Sequence, residues 1–470
     1  MTTPVEQVTL AARLRSLLEK GERQASRRGE STLVSTSVPI PHVDSVALFD
    51  RAVPEERALW EQPSEALSMV AVGAAERLSG RGDDRFAQVA AGWRSLMSSA
   101  VLDDLYSAPI PGPVCLGGFA FDPAREPDSR WRGYPDALLT VPRFLFACRG
   151  ESCWLTVNVM VTPGSDVQGA ADAVAGALQQ LLAGDDGATG GAELAGGVSV
   201  EDDDQADRWK ETVTAVVGDI RRGEIEKLVL ARAVRARCLG RFDPGPVLRR
   251  LRSGYGDCTV FAFARGESCF AGATPDRLVR LDGRTVQATA LAGSTARGAT
   301  DDEDGSLAEA LRADRKERHE HALVVEALRA ALEPTCSQLW VPEAPTLLRM
   351  PNVQHLCTTL EGVMKDGGTI LDLIGRLHPT PATGGLPRQA ALSLIRAYEP
   401  LDRGWYSGPF GWIDRQGSGD FVVAIRSALL RGNDALLYAG CGIVADSDPE
   451  REYRESCLKL RPMLWALNTE

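Results

Sequence analysis

The sequence predicts an α+β fold on three observations. Runs rich in β-branched and aromatic residues follow one another across short polar turns, as where DGR separates RLVRL from TVQATAL. Turns that short join antiparallel neighbours, because parallel strands need long crossovers. Long segments of helical periodicity accompany these runs, yet the hairpins make a doubly wound parallel sheet the poorer description. Finally, 470 residues with 44% hydrophobic content call for two domains or one large elaborated body.

In chain order, 6–20 has the periodicity of a helix, and STLVSTSVPIP, LSMVAVGAAERL and CWLTVNVMVT read as strands bounded by Pro or Gly. A helix follows over 168–182. The stretch AGDDGATGGAELAGGVS, 183–199, is rich in Gly and Ala with few large apolar residues and divides the chain. The second half opens with a helix over 207–223 and a buried strand, KLVLARAVRA. Strands CTVFAFA, SCFAGAT, RLVRLD and TVQATAL come next. The acidic run DDEDG, 301–305, reads as a solvated loop before a helix over 307–332. FVVAIRSALLR and ALLYAGCGIV each read as one strand before a final helix that starts at Pro449, where a first turn tolerates proline.

Charge and composition exclude several classes. A net charge of −12 gives no overall field for nucleic acid or anionic membrane. The first residues lack a basic region followed by an apolar core, and no uninterrupted apolar run is long enough to span a bilayer, so cytoplasm is expected. The ten cysteines show no CxxC pair and no zinc spacing with the five histidines. Cys148 and Cys153 are the nearest two, and a reducing compartment makes disulfides unexpected.

The chemistry concentrates in the second half. Glu452, Glu455 and Lys459 follow Gly440 and Gly442, and on a helix their i, i+3, i+7 spacing keeps them within roughly 60° of one another. Two carboxylates beside an ammonium and glycine-exposed amides suit a metal and an acid, although such spacing also describes a solvated face. Lys227 falls on the same strand face as Ile225, Val229 and Ala231, where desolvation lowers an ammonium's pKa and opens a route to a general base. Asp276 follows Pro275 at a strand end, and Gly293 and Ser294 offer amides and a hydroxyl in ALAGSTARG. Neither GxxxxGK[ST] nor GxGxxG occurs in register with a strand and helix. In KERHEHALVVEAL, Glu317 and Glu320 are helical neighbours, whereas His319 and His321 diverge and do not make a zinc pair. His355 sits in VQHLCTTLEG, His378 and Ala382 in HPTPATGGLPRQ, and Tyr406 in DRGWYSGPFGW. Arg426 in VAIRSAL is an arginine in apolar surroundings with no evident carboxylate partner in the chain.

Taken together, KLVLAR, GATPDRLV, ALAGS, KERHEH, VQHL, HPTPATGG, DRGWYSGPFGW, AIRSAL, AGCGIV and PEREYRESCLKL resemble, in one order, the chorismate-utilising enzymes of menaquinone, siderophore, salicylate, tryptophan and folate synthesis. The resemblance spans about 205–467, with 1–200 similar to the less patterned amino-terminal part of such enzymes. It implies one α+β body with two large antiparallel sheets sandwiched between helices, a monomer, and Mg²⁺ and chorismate as cofactor and substrate. By the same resemblance Glu320 and Glu455 ligate the metal with Glu317 and Glu452 close by. Arg426 and Tyr406 bind the enolpyruvyl carboxylate, and Lys459 with the Gly440 and Gly442 amides assists anion binding. Gly293, Ser294 and His355 line the ring.

The choice among family members turns on the nucleophile. Ammonia-adding relatives usually carry Gln in place of Lys227 and Thr in place of Ala382, and work with an amidotransferase subunit, which is not expected here. Lys227 resembles the base of the water-adding members, whose product is isochorismate. Asp276 stands at the family's general-acid position, normally Glu, so its carboxyl falls about 1.5 Å short, a misplacement of the order that costs roughly 100-fold in rate. Thr383, where isochorismate-forming relatives commonly show Val, keeps salicylate formation as the alternative. An aminating enzyme and a non-catalytic chorismate-binding protein are further readings.

Overall fold

The computed structural model describes residues 4–53, 55–103, 112–126, 128–183, 197–201 and 205–467. Strand-forming runs assemble into two sheets, one of thirteen strands and one of ten among the described residues. All their pairings are antiparallel except a short parallel contact between Thr32–Ile40 and Val101–Leu102. Both sheets mix the two halves of the chain. Arg57–Gln62 pairs with Thr259–Arg265 in the larger, and Val114–Phe119 with Pro409–Asp414 in the smaller. Most of the Gly/Ala-rich connection, 184–196, lies outside the described residues.

Large aromatic residues fill the space between the sheets. Phe261 packs on Phe410 with ring centroids 5.0 Å apart and Phe263 on Trp405 at 5.2 Å, among buried Trp60, Phe270 and Tyr438. Such tilted aromatic pairs contribute beyond the area they bury. Helices cover the outer faces. Pro4–Arg28, Ser45–Arg51, Val167–Ala183, Pro244–Gly254 and Pro449–Ala466 bury apolar stripes on the larger sheet. Arg85–Ser98, Arg315–Leu332 and Ile370–Leu377 do so on the smaller. Among the described residues no helix is long and apolar enough to cross a membrane.

The structure corrects five local expectations. The helix expected over 307–332 is two, Asp301–Ala313 and Arg315–Leu332, because Asp314 takes an extended conformation and its carboxylate accepts the Glu317 N–H at 3.1 Å as an N-cap. DDEDG is the first turn of the earlier helix rather than a loop, capped by Thr300, where acidic residues face the positive end of the dipole. LSMVAVGAAERL and FVVAIRSALLR each divide into strands of different sheets, Leu67–Val72 with Glu76–Gly80 and Gly419–Val423 with Ser427–Arg431. Cys148 and Cys153 form a disulfide, against expectation, because the tight hairpin at Gly150 sets them directly opposite each other.

Candidate active site

Two of the points where the chain changes sheets lie side by side, and the site forms there. Ser268–Thr274 of the larger sheet passes through Pro275 and Asp276 into Arg277–Asp282 of the smaller. Gly419–Val423 of the smaller sheet passes through Arg426 into Ser427–Arg431 of the larger. The crossings hold each other: Val423 N–H donates to the Asp276 carbonyl at 2.9 Å, and Ala273 N–H donates to the Arg426 carbonyl at 3.1 Å. Arg426 has a left-handed backbone, φ 51°, as does nearby Ser407, φ 62°; both line one cavity, and backbone strain of this kind gathers at functional sites.

That cavity brings together most of the residues singled out from the sequence. Asp276 and Arg426 face Gly293, Ser294 and His355 of the smaller sheet, and Gly440 and Gly442 of the larger. Ala382 and Tyr406 come from connecting segments, Glu320 from the helix Arg315–Leu332, and Glu455 and Lys459 from Pro449–Ala466. Lys227, Glu317 and Glu452 lie behind this lining, buried.

One wall is built to receive an anion. Arg426 is 3% exposed, and its Nη2 donates to His355 Nε2 at 3.3 Å while Nη1 has no partner. Because Nε2 accepts, the imidazole carries its proton on Nδ1 and donates to Ser294 Oγ at 2.8 Å. Burial first, then the Arg426 charge, holds His355 well below its ordinary pKa, so it stays neutral. Tyr406 stacks on Tyr438 with centroids 4.9 Å apart. No carboxylate of the chain pairs with Arg426 among the described residues, as the sequence implied. On the adjoining crossing, Asp276 is pushed up to about 7 by burial, against which the Arg426 charge acts. A substantial fraction therefore carries its proton near neutral pH, as a general acid requires.

The other wall is acidic, and each carboxylate has a cation. Lys227 Nζ, fully buried, meets Glu320 Oε1 at 2.9 Å. Lys316 bridges Glu317 at 3.2 Å and Glu452 at 2.8 Å, Arg451 adds a second contact to Glu317 at 3.0 Å, and Lys459 meets Glu455 at 2.6 Å. Burial raises Glu452, and the neighbouring Glu455 charge adds to it; for Glu455 burial is outweighed by Lys459 and Lys316, which hold it low. Lys459 Nζ also donates to the Gly440 carbonyl at 3.0 Å, so the glycine strand and the acidic helix are tied together.

Donor chemistry here fits a hard divalent ion. Ligand atoms of Glu452, Glu455 and Cys441 lie within 4.8 Å of one another, and Glu452 Oε2 is buried without a hydrogen-bond partner. The Cys441 thiol is turned to donate to the Glu452 carbonyl at 3.2 Å, which leaves oxygen as the available donor set. Glu320 reaches this region only because residue 442 is glycine: a Cβ there would stand 2.0 Å from Glu320 Oε1 and 2.9 Å from Lys227 Cε. Gly442→Ala is therefore expected to displace Glu320 and lower turnover by at least roughly 100-fold, as ångström-scale misplacements do, with the fold kept by circular dichroism. Wild-type turnover in that variant would show that the close approach is not needed.

His321 and His378, outside the cavity lining, are structural. His321 Nδ1–H donates to the Ala292 carbonyl at 3.1 Å and Nε2 accepts from the Thr358 hydroxyl at 2.8 Å, while His319 is exposed, so they diverge as their spacing requires. His378 Nε2 donates to the Phe121 carbonyl at 3.0 Å. Sequence reasoning passed over Lys316, whose place beside Glu317 in a charge-rich run looked like solvated surface. It also passed over Arg403, whose guanidinium donates to the Val229 and Thr383 carbonyls, each at 2.8 Å, directly behind the cavity wall.

Comparison with known proteins gives this arrangement its kin. The profile of the family described as chorismate binding enzyme matches residues 19–468, nearly the whole chain. The chain belongs to that family. This chorismate-binding enzyme is 41% identical over 463 residues to the salicylate biosynthesis isochorismate synthase of Pseudomonas aeruginosa, covering 97% of this chain and 94% of the relative. It is 34% identical over 455 residues to isochorismate synthase MenF of Bacillus subtilis, covering 95% and 96%. Among solved structures, MenF, the menaquinone-specific isochorismate synthase of Escherichia coli, superposes with TM-score 0.78 at 27% identity over 97% of this chain and 99% of that one. Anthranilate synthase component I of Streptococcus pneumoniae shares the fold of the chorismate-binding enzyme at TM-score 0.66 and 20% identity, covering 85% of this chain and 92% of that one.

Proposed function

We propose that the protein is an isochorismate synthase, adding water at C2 of chorismate with loss of the C4 hydroxyl, and acting without an amidotransferase subunit. The observation that carries this reading is a buried lysine beside Gly442, behind the lining of the same cavity that a carboxylic acid raised to about 7 lines. Full-length likeness to two isochorismate synthases supports it.

In this mechanism Arg426 and Tyr406 hold the enolpyruvyl carboxylate, and the Ser294–His355 pair orients the ring edge. Lys227 takes a proton from water as its oxygen bonds to C2. The ring double bond shifts, and Asp276 protonates the departing C4 hydroxyl, so one water enters and one leaves. Lys227 is fully buried with Glu320 Oε1 2.9 Å from its Nζ, so the carboxylate fixes the amine in place for this role. Mg²⁺, held by Glu320 and Glu455 with Glu317 and Glu452 beside them, would supply a charge clamp for the ring carboxylate.

Product analysis tests the proposal. Purified protein with chorismate and MgCl₂ is expected to give isochorismate, and none after chelation. Salicylate as the end product would instead establish the two-step reading, anthranilate formed only with ammonium salts would establish an aminating enzyme, and tight chorismate binding without turnover would refute catalysis.

The acid assignment makes a separate prediction. With Asp276 titrating near 7, activity is expected to fall as pH rises through that value, since the required form is the protonated one. Asp276→Asn should remove the alkaline limb and lower kcat by roughly 100-fold or more. Asp276→Glu should keep or raise activity. An unchanged alkaline limb in Asp276→Asn would assign it to another group.

A further inference from the structure

A second cavity lies against the strand Lys227–Arg237, where its outer edge is interrupted. That edge pairs with Gly385–Leu386 at Lys227 and Leu228, and with Ser199–Glu201 at Arg235 to Arg237. Between them no strand borders it among the described residues, and the Ala231 N–H donates to Glu399 Oε1 at 2.7 Å instead. Arg208 and Trp209 of the helix Gln205–Arg221 overhang this gap, with Arg235, Leu401 and Leu436 around it.

The lining is basic on one side and apolar on the other. Arg232 is committed to Ser456 Oγ at 2.8 Å and Arg130 to Asp128 at 2.8 Å. Arg235 approaches Asp434 only to 3.7 Å, and Arg208 makes no ion pair among the described residues. Of the lining acids, Glu201 meets Arg237 at 3.3 Å and Glu399 is tied to Arg403. Trp209, 7% exposed, has an indole N–H without a hydrogen-bond partner. Arg208, unpaired among the described residues, and Arg235, held by Asp434 only at 3.7 Å, beside an indole and two leucines match an anion carried on a flat apolar ring.

A single buried ion pair joins this cavity to the candidate active site. Glu399 faces the second cavity and accepts from Arg403 Nε at 2.9 Å. Arg403 holds the carbonyls of Val229 and Thr383, both of which line the first cavity.

We propose that the second cavity is an effector site for a small aromatic carboxylate, held by Arg208 and Arg235 with its ring against Trp209, whose occupancy moves the Glu399–Arg403 pair and with it the Val229 and Thr383 wall. The kinetic part of the test rests on the proposed chorismate turnover; the binding part does not. Benzoate and, separately, inorganic phosphate are titrated calorimetrically into the full chain and into the Arg208→Ala/Arg235→Ala variant. Benzoate is expected to bind the wild type about tenfold or more tightly than the variant, consistent with loss of charge-assisted contacts, and more tightly than phosphate does. It should also shift the chorismate KM or kcat about fivefold or more in the wild type alone, the variant matching it when benzoate is absent. If no turnover exists, the same shift is read in chorismate affinity by calorimetry, which separates failure of the enzymatic reading from failure of this one. Equal benzoate affinity in the two proteins, phosphate binding as tightly as benzoate, or loss of benzoate binding on Arg426→Ala instead would overturn the site. Benzoate binding that leaves both chorismate turnover and affinity unmoved would overturn the coupling.

Discussion

Lys227→Ala is expected to reduce kcat by roughly 10²–10⁴-fold while chorismate affinity stays near that of the wild type, because a general base acts chiefly in the transition state. The structure adds a second consequence. Lys227 is fully buried and pairs with Glu320, so the alanine variant leaves a carboxylate without its counter-ion in a dry position. Breaking a buried pair in this way costs about 3–5 kcal/mol, and the melting temperature should fall. Raised Mg²⁺ should restore part of the stability and none of the rate, since a cation can replace the charge but not the proton acceptor. Near-normal turnover would take the base role away from Lys227.

Arg426→Ala is expected to move binding and stability in opposite directions. The guanidinium is buried, its Nη1 has no partner, and burial depresses its pKa, so the ligand-free protein bears the cost of an uncompensated cation. Removing it should raise the melting temperature. A substrate carboxylate is what would satisfy the group, and losing a buried charge-assisted contact costs about 2–5 kcal/mol, so KM should rise by about 30- to 4,000-fold. A residue serving only the fold would lower stability and leave KM alone. That outcome would end the assignment of Arg426 as the anchor.

Hairpin spacing, period-two burial and the ordered motifs made the antiparallel body and the composition of the cavity legible in the sequence. What the sequence hid were places where an apolar run is cut by tertiary geometry. AIRSAL reads as continuous strand because nothing local announces the left-handed turn at Arg426; that conformation is imposed by the two sheets it joins. The division at Asp314 did have a local signal, an Asp three residues before Glu317 at a helix start, but the helical charge pattern on both sides masked it. Lys316 was lost for the opposite reason. A lysine in KERHEH has the composition of a wet helix face, and only packing against the helix Pro449–Ala466 turns it inward onto Glu452.

The reciprocal amide bonds between the two sheet crossings bear on how the protein should yield to heat. Asp276 and Arg426 sit on segments that clasp each other's backbones, whereas the four glutamates ride on two separate helices bridged by the ion pairs of Lys316 with Glu452 and of Arg451 with Glu317 and Asp314. Hydrogen–deuterium exchange near the melting point should therefore find the amides of Ala273 and Val423 protected after those of the Glu452–Glu455 turn have begun to exchange. The order of loss on warming would be cation grip first and carboxylate anchor last, so thermal inactivation ought to precede unfolding and to be delayed by magnesium.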